Sequence, residues 1–493
     1  MTVSRFTLKS IPAIVILALG LCSAVAQDPT KANDASKVER KNRAPVSKDV
    51  LQVRLPKPVE ATLSNGMTVL IIEDHRLPLV SIQYNISGAG PLFETSELPG
   101  LANITAQMLR EGTKTRNSLK IAQDTESLGA SLSATSGFGS SAAIVSASGL
   151  SDNFDQWFAL ANDILLNPGF PADELNRLKQ RMKLQLRQQR TNPGFLSAER
   201  FNLAVYGGHP AATISATEAA IDGMTPERLA IWHRDRYAPQ NTILGIAGDV
   251  KLSELVPKLE KWLAAWKKSD VQEKLPPNPT AAASKKIILV DRSNSVQTSI
   301  VMGNIAIDRR DPDYIPLSVA NDVIGGGPTG RLFINLREEK GYTYGAGSGF
   351  TALKYPGPWR AASDVRTEVT DGAMTEFFHE IGRLRDEPVP AEELEEAKRS
   401  IVAGFALSLE DPDSALGYAI TQKIYGFPQD YWDTYPAKIM AVNAEDVQGV
   451  TRKYINPENI QVVAVGDAGK IKAIMEKYGP VEMYDVEGKK LEN

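Results

Sequence analysis

Apolar residues along this chain fall into two rhythms that alternate from one end to the other. Short β-rich runs such as Thr68-Val-Leu-Ile-Ile-Glu73 and Ile287-Ile-Leu-Val-Asp291 read as strands. Between such runs lie stretches of helical length and propensity. Glu174 to Gln189 is one, with Asp173 and Glu174 near its positive end. Gln461-Val-Val-Ala-Val465 reads as a closing strand that ends at Gly466-Asp467. The pattern predicts small α+β domains.

The same pattern is written twice. Pro171-Ala-Asp-Glu-Leu-Asn-Arg-Leu-Lys179 returns as Pro390-Ala-Glu-Glu-Leu-Glu-Glu-Ala-Lys398. Arg236-Tyr-Ala-Pro-Gln-Asn241 and Gly248-Asp249 return as Lys453-Tyr-Ile-Asn-Pro-Glu-Asn459 and Gly466-Asp467, and Pro193 returns as Pro412. Solenoid repeats have periods of roughly 20–50 residues, whereas a period of about 220 duplicates a whole domain. The expected organisation is therefore tandem. Residues 51–270 form the first copy and 285–479 the second, and a linker at 271–284 is marked by Pro276-Pro277-Asn278-Pro279. Residues 480–493 read as a charged tail.

At the N-terminus, Arg5 and Lys9 precede an apolar run from Ile11 to Leu21 and then Ala24-Val25-Ala26. That is the layout of a cleaved secretory signal, residues 1–26, and the run is too short to span a bilayer. Residues 27–50 are polar and read as a flexible leader. The single cysteine, Cys22, falls inside the signal, so the mature chain is expected to be thiol-free, exported and periplasmic, with no membrane anchor. The net charge of -4 provides no basic field for nucleic acid.

Leu98-Pro-Gly-Leu-Ala-Asn-Ile-Thr-Ala-Gln-Met-Leu-Arg-Glu-Gly-Thr113 predicts a helix after a Pro-Gly turn. It resembles the signature of the insulinase and pitrilysin metallopeptidases, the inverzincins, which reads Gly-Leu-Ala-His-x-x-Glu-His-Met-Leu. Helix positions i, i+3 and i+4 share one face, so two imidazoles there hold zinc while the carboxylate polarises a bound water. Here those positions are Asn103, Ala106 and Gln107, with Gly100, Leu101, Ala102, Met108 and Leu109 of the frame intact. The family's third ligand, a Glu on a later helix, corresponds to Gln185. Neutral amides are poor zinc ligands, and alanine can neither ligate nor take a proton. The four histidines, His75, His209, His233 and His379, are too scattered to form a helical pair. No zinc is expected in this chain.

In the second copy, Gly325, Gly326 and Gly327 precede Arg331-Leu-Phe-Ile-Asn-Leu-Arg-Glu-Glu-Lys-Gly-Tyr-Thr-Tyr344. Leu332, Phe333 and Leu336 lie on one side of a short predicted helix, with Gly341 as its C-terminal cap. Chain reversal there would bring Arg337 and Tyr344 into one cavity. The glycines alone suggest a tight turn using positive φ.

This stretch resembles the family's second signature, an Arg seven residues before a Tyr behind a glycine-rich loop. The resemblance implies two tandem homologous domains, each an antiparallel-rich sheet packed with helices. It also implies that Arg337 and Tyr344 bind the substrate carbonyl and oxyanion at a zinc site in an opposing domain, and that Gly325–Gly327 handle peptide. The expected function is the non-zinc subunit of a heterodimeric metallopeptidase, inactive alone. Its partner would be a homologous chain carrying the His-x-x-Glu-His helix and the zinc. A catalytically inert peptide-binding or assembly protein reusing the fold is the other reading.

Overall fold

The computed structural model describes residues 55–492, so the signal and leader (1–26 and 27–50) lie outside the described residues. Two six-stranded sheets organise the chain. The first contains β1 (Val59–Thr62), β2 (Thr68–Glu73), β3 (Leu79–Ser87), β4 (Ser131–Thr135), β5 (Ala142–Leu150) and β6 (Thr242–Gly248). The second contains β7 (Lys286–Asp291), β8 (Gln297–Ile307), β9 (Thr343–Ala352), β10 (Pro356–Arg366), β11 (Gln461–Gly466) and β12 (Val481–Tyr484).

Spatial order makes the duplication explicit. Five strands of the first sheet run β2-β6-β3-β5-β4, and five of the second run β7-β11-β8-β10-β9, the same permutation. Pairing is antiparallel except at β2–β6, β7–β11 and β7–β12. The sixth strand breaks the symmetry. In the first sheet it is β1, antiparallel to β2; in the second it is β12, parallel to β7. The segment 480–493, read from sequence as a charged tail, thus holds an edge strand. Four residues with charged neighbours give no periodic signal, and Val481-Glu-Met-Tyr484 becomes a strand only because β7 offers a free edge.

The repeated prolines mark helix starts. Helices Ala172–Gln189 and Ala391–Ser408 follow Pro171 and Pro390, and acidic side chains occupy both first turns. The next pair begins at Pro193 and Pro412. Asn192 accepts from the N–H groups of Gly194 and Phe195, and Asp411 accepts from that of Asp413.

This last pair is exchanged between the halves. Helix Pro193–Tyr206, of the first copy, packs on β7, β8 and β11 of the second sheet. Helix Pro412–Tyr425, of the second copy, packs on β2 and β6 of the first. Leu196, Phe201 and Val205 thereby join Val290, Val301 and Val463, while Leu416 and Ile420 join Leu70 and Ile72. Each sheet keeps its own helices on the other face. Apolar cover on both faces explains why Val462–Val465 of β11 form a continuous apolar run instead of an alternating one, in a strand buried along its whole length. The approach is close: a Cβ on Gly245 of β6 would lie 2.8 Å from Ile420 Cδ1.

The 271–284 segment forms no helix or strand but is tied down. Glu273 pairs with Lys354 at 2.6 Å, and the Val271 carbonyl accepts from Asn241 at 3.1 Å.

Candidate functional site

The Pro-Gly turn does start a helix, Leu101–Met108. Gly100 caps it at φ 95, where a Cβ would be 2.9 Å from Ala216, so both conformation and space require glycine. Glu94 closes the helix N-terminus. Its two carboxylate oxygens accept from the Gly100 and Ala102 N–H groups at 2.8 and 2.6 Å. Burial nevertheless outweighs these donors and pushes its carboxyl up to about 7. Sequence reading passed over Glu94; an acid a few residues ahead of a helix start was the available signal.

On the helix face, Gln107 Nε2 donates to Asn103 Oδ1 at 2.7 Å, and Asn103 Nδ2 donates to the Ser136 carbonyl at 3.0 Å. Ala106 is completely buried, with no room for a reactive group. Gln185 lies exposed on helix Ala172–Gln189, and its amide has no hydrogen-bond partner among the described residues. The donor set is therefore two amides satisfied by each other and by backbone, a methyl group and an exposed amide. It does not fit zinc, whose tetrahedral protein sites use imidazole, thiolate and carboxylate. Among the described residues no cluster of three or more His, Cys, Asp or Glu side chains could hold a metal ion.

The histidines are placed elsewhere. His75 bonds Asp249 at 2.7 Å, His233 bonds the Leu165 carbonyl at 2.7 Å, and His379 is exposed on helix Thr370–Asp386. His209 stacks on Tyr206 and accepts from the Ala211 N–H.

In the second half, one helical turn at Arg331–Phe333 widens into a π-helix at Ile334–Glu339, where an ordinary short helix was expected. The chain then reverses at Gly341, φ 63, as its capping role predicts. Arg337 projects from the π-helix, half exposed, with its guanidinium 4.7 Å above the Phe333 ring and 3.4 Å from Glu338. Tyr344 follows on β9 and is 90% exposed. The register of β9 on β10 slips between Ala346↔Ser363 and Thr343↔Val365, which sets Tyr344 and Gly345 against Asp364 alone. Such a bulge re-aims side chains and is common beside active sites. No hydrogen bond or cation–ring contact joins Arg337 to Tyr344 among the described residues, so the shared cavity expected from the reversal at Gly341 is not seen: Arg337 rests on Phe333 and Glu338, and Tyr344 stands in solvent.

Crowding accounts for two of the three glycines in the loop. None of Gly325, Gly326 and Gly327 has a positive φ. A Cβ on Gly325 would lie 2.5 Å from the Ser348 backbone nitrogen, and one on Gly326 would lie 2.6 Å from Asp322 Cα. Gly325 is buried, Gly326 is exposed and Gly327 has open space around its Cα.

A polar surface that the sequence reading did not single out lies beyond the exchanged helix on the first sheet. There Ser131 meets Ser148 and Ser133 meets Ser146 in cross-strand hydroxyl pairs, both 2.7 Å. Ser81 donates to Asp413 at 3.1 Å. These groups line a cavity of 260 Å³, and a second of 370 Å³ adjoins it, bounded by Leu77, Leu79, Asp411 and Asp413. Alternating serines in Ser131-Leu-Ser133 and Ser146-Ala-Ser148 were the sequence signal.

Comparison with known proteins agrees with this anatomy. Residues 68–214 match the family model for insulinase, peptidase family M16, and residues 223–401 match that for the peptidase M16 inactive domain. The chain belongs to the insulinase, or M16, peptidase family. It is similar to a solved M16 inactive domain from Pseudomonas fluorescens at 28% identity and a TM-score of 0.78, covering 83% of this chain and 98% of that one. A protease from Helicobacter pylori shares the fold at 17% identity and a TM-score of 0.77, covering 84% and 100%. An uncharacterized zinc protease of Bacillus subtilis (strain 168) is 21% identical over 83% of this chain and 98% of its own. The α+β tandem architecture and the family both follow the expectation from sequence. No helix among the described residues is long and apolar enough to cross a membrane.

Proposed function

We propose that this chain is the non-zinc subunit of a two-subunit M16 metallopeptidase. One observation carries the reading. The helix that holds zinc in the family is sealed by an Asn103–Gln107 amide pair, while Arg337 and the bulge-projected Tyr344 stand exposed. Donors held outward in this way suit a carbonyl and a developing oxyanion presented by another molecule. The partner, a homologous chain with an intact His-x-x-Glu-His helix, supplies metal and base; this chain supplies Arg337 and Tyr344. The open serine face of the first sheet and the exposed edge of β4 offer a polar groove to an extended peptide. The signal-like N-terminus supports assembly in the periplasm.

The experiment is a mixing assay. Cleavage of a quenched fluorescent peptide and bound zinc are measured for this chain, for a zinc-helix homologue encoded in the same genome, and for their mixture. Activity that requires both chains in a stable complex is expected. Equal activity of the homologue alone rules out complementation, and a complex that binds peptide without cleaving it identifies an inert binding protein.

A further inference from the structure

The π-helix that carries Arg337 is held by an apparatus that its sequence does not advertise. A π-turn spreads one extra residue over each turn and is less stable than an α-turn, so it needs support from outside. Here the Lys340 N–H reaches back five residues to the Asn335 carbonyl at 3.0 Å, and the Gly341 N–H reaches the Arg337 carbonyl at 3.2 Å. Support comes from helix Thr370–Asp386. Buried Asn335 donates from Nδ2 to Glu376 at 2.9 Å and to Glu380 at 2.7 Å. Its own Oδ1 is buried without a partner, so the two carboxylates alone fix the amide.

Glu380 is 2% exposed and is balanced by Arg383 at 2.9 Å. Glu376 also grips the far end of the π-turn through Lys340 at 3.1 Å. A third anchor follows the reversal: the Tyr342 hydroxyl lies 2.8 Å from where a Cβ on Gly372 would be, so a larger residue there would displace the ring. Gly372, Glu376 and Glu380 form one stripe along the supporting helix, because residues four apart lie on the same face. Every anchor flanks Arg337, and none is bonded to its side chain.

We infer that Asn335 is a positioning residue for Arg337: by bridging Glu376 and Glu380 it holds the π-turn in the register that projects the guanidinium outward. The catalytic half of this inference rests on the role given to Arg337 above; the mechanical half stands alone. A stable protein of this fold has no evident need for a buried Glu380 and a half-buried Glu376 clamped to a π-turn. A short α-turn packed by apolar residues would fill the same space at lower cost in desolvated charge.

Two measurements test it. The first is hydrogen exchange on the isolated chain. Asn335→Ala is expected to speed amide exchange at residues 337–342 at least tenfold, leaving β8 and β11 protected as in the wild type; unchanged exchange at 337–342 overturns the inference. The second is peptide cleavage by the complex with the zinc-helix homologue. Asn335→Ala is expected to lower kcat about tenfold, with KM and subunit affinity within twofold of wild type, because a mobile Arg337 loses alignment with the transition state without changing assembly. Full kcat in Asn335→Ala, where Arg337→Ala is inactive, overturns the positioning role alone. Full activity in Arg337→Ala itself removes the proposed function, and the exchange result still decides whether the anchor exists.

Discussion

Gln107 Nε2 donates to Asn103 Oδ1 across one helical turn at 2.7 Å, so the two positions that would share a metal are bridged by a neutral hydrogen bond. Zinc would have to break this bond and gain only weak amide ligands in return. The chain is therefore expected to emerge from zinc-containing buffer without bound metal, and zinc is expected to leave its thermal midpoint unchanged. Asn103→His combined with Gln107→His and Gln185→Glu is expected to bind zinc and gain thermal stability with it. Metal analysis after gel filtration checks both; stoichiometric zinc on the wild-type chain contradicts the reading of this helix.

Glu94 gives the fold a pH dependence with a definite sign. Its carboxyl is raised from an ordinary 4.5 to about 7 by burial, so between those values the folded chain keeps a proton that the unfolded chain releases. This contribution is complete below about pH 4.5 and is lost as pH rises through 7, on the order of 3 kcal/mol in all. Asp322, raised to about 6, acts in the same direction, and His233, lowered to about 4 by burial, acts in the opposite one. The comparison with Glu94→Gln isolates the one group. Urea unfolding at pH 5 and pH 8 is expected to show the variant gaining relative to wild type at the higher pH.

The exposed donors lend themselves to a graded test. Tyr344→Phe removes one hydroxyl from a ring that is already 90% in solvent, so the fold is expected to keep its stability within about 0.5 kcal/mol. Cleavage by the complex is expected to fall roughly 100-fold, the usual loss for one oxyanion donor. Arg337→Lys keeps the charge but not the planar fork and is expected to fall nearly as far as Arg337→Ala. A drop in subunit affinity that accounts for the whole loss would make these residues interface anchors instead.

How much of this was legible in the sequence depended on whether the signal was local. Pro171, Pro193 and their repeats Pro390 and Pro412 announce helix starts because a proline fixes its own φ and removes its own donor. Gly341 announced a reversal, and the absence of imidazole and carboxylate at Asn103, Ala106 and Gln107 was plain from the sequence itself. Features set by distant neighbours left no such trace. The exchange of helices between sheets is specified by Phe201 meeting Val301 and Ile420 meeting Leu70, residues far apart in the chain. The π-turn at 334–339 depends on Glu376 and Glu380, some forty positions away. The glycines at 325 and 326 looked like turn residues; what they avoid is Ser348 and Asp322, which no pattern of glycines reveals.

The joint between the halves makes its own prediction. Phe201 is fully buried among residues of the second sheet, so Phe201→Ala is expected to cost about 3–5 kcal/mol and to loosen one half from the other. Limited proteolysis is the check. In the wild type, a cut at Pro276–Pro279 is expected to leave two fragments that co-elute. In the variant the fragments are expected to separate.

The exchanged helices Pro193–Tyr206 and Pro412–Tyr425 give the chain the geometry of a two-fold dimer whose subunits have been fused. An unlinked single copy would have to lay this helix on the sheet of a second copy; within one chain the linker makes that contact internal. The interlock asks only for apolar contacts such as those of Phe201 and Ile420, which leaves the two copies free to differ elsewhere. It places no demand on Asn103, Ala106 or Gln107. A change of polar groups at those positions is then mechanically silent, and the duplicated architecture stands whichever side chains either copy carries there.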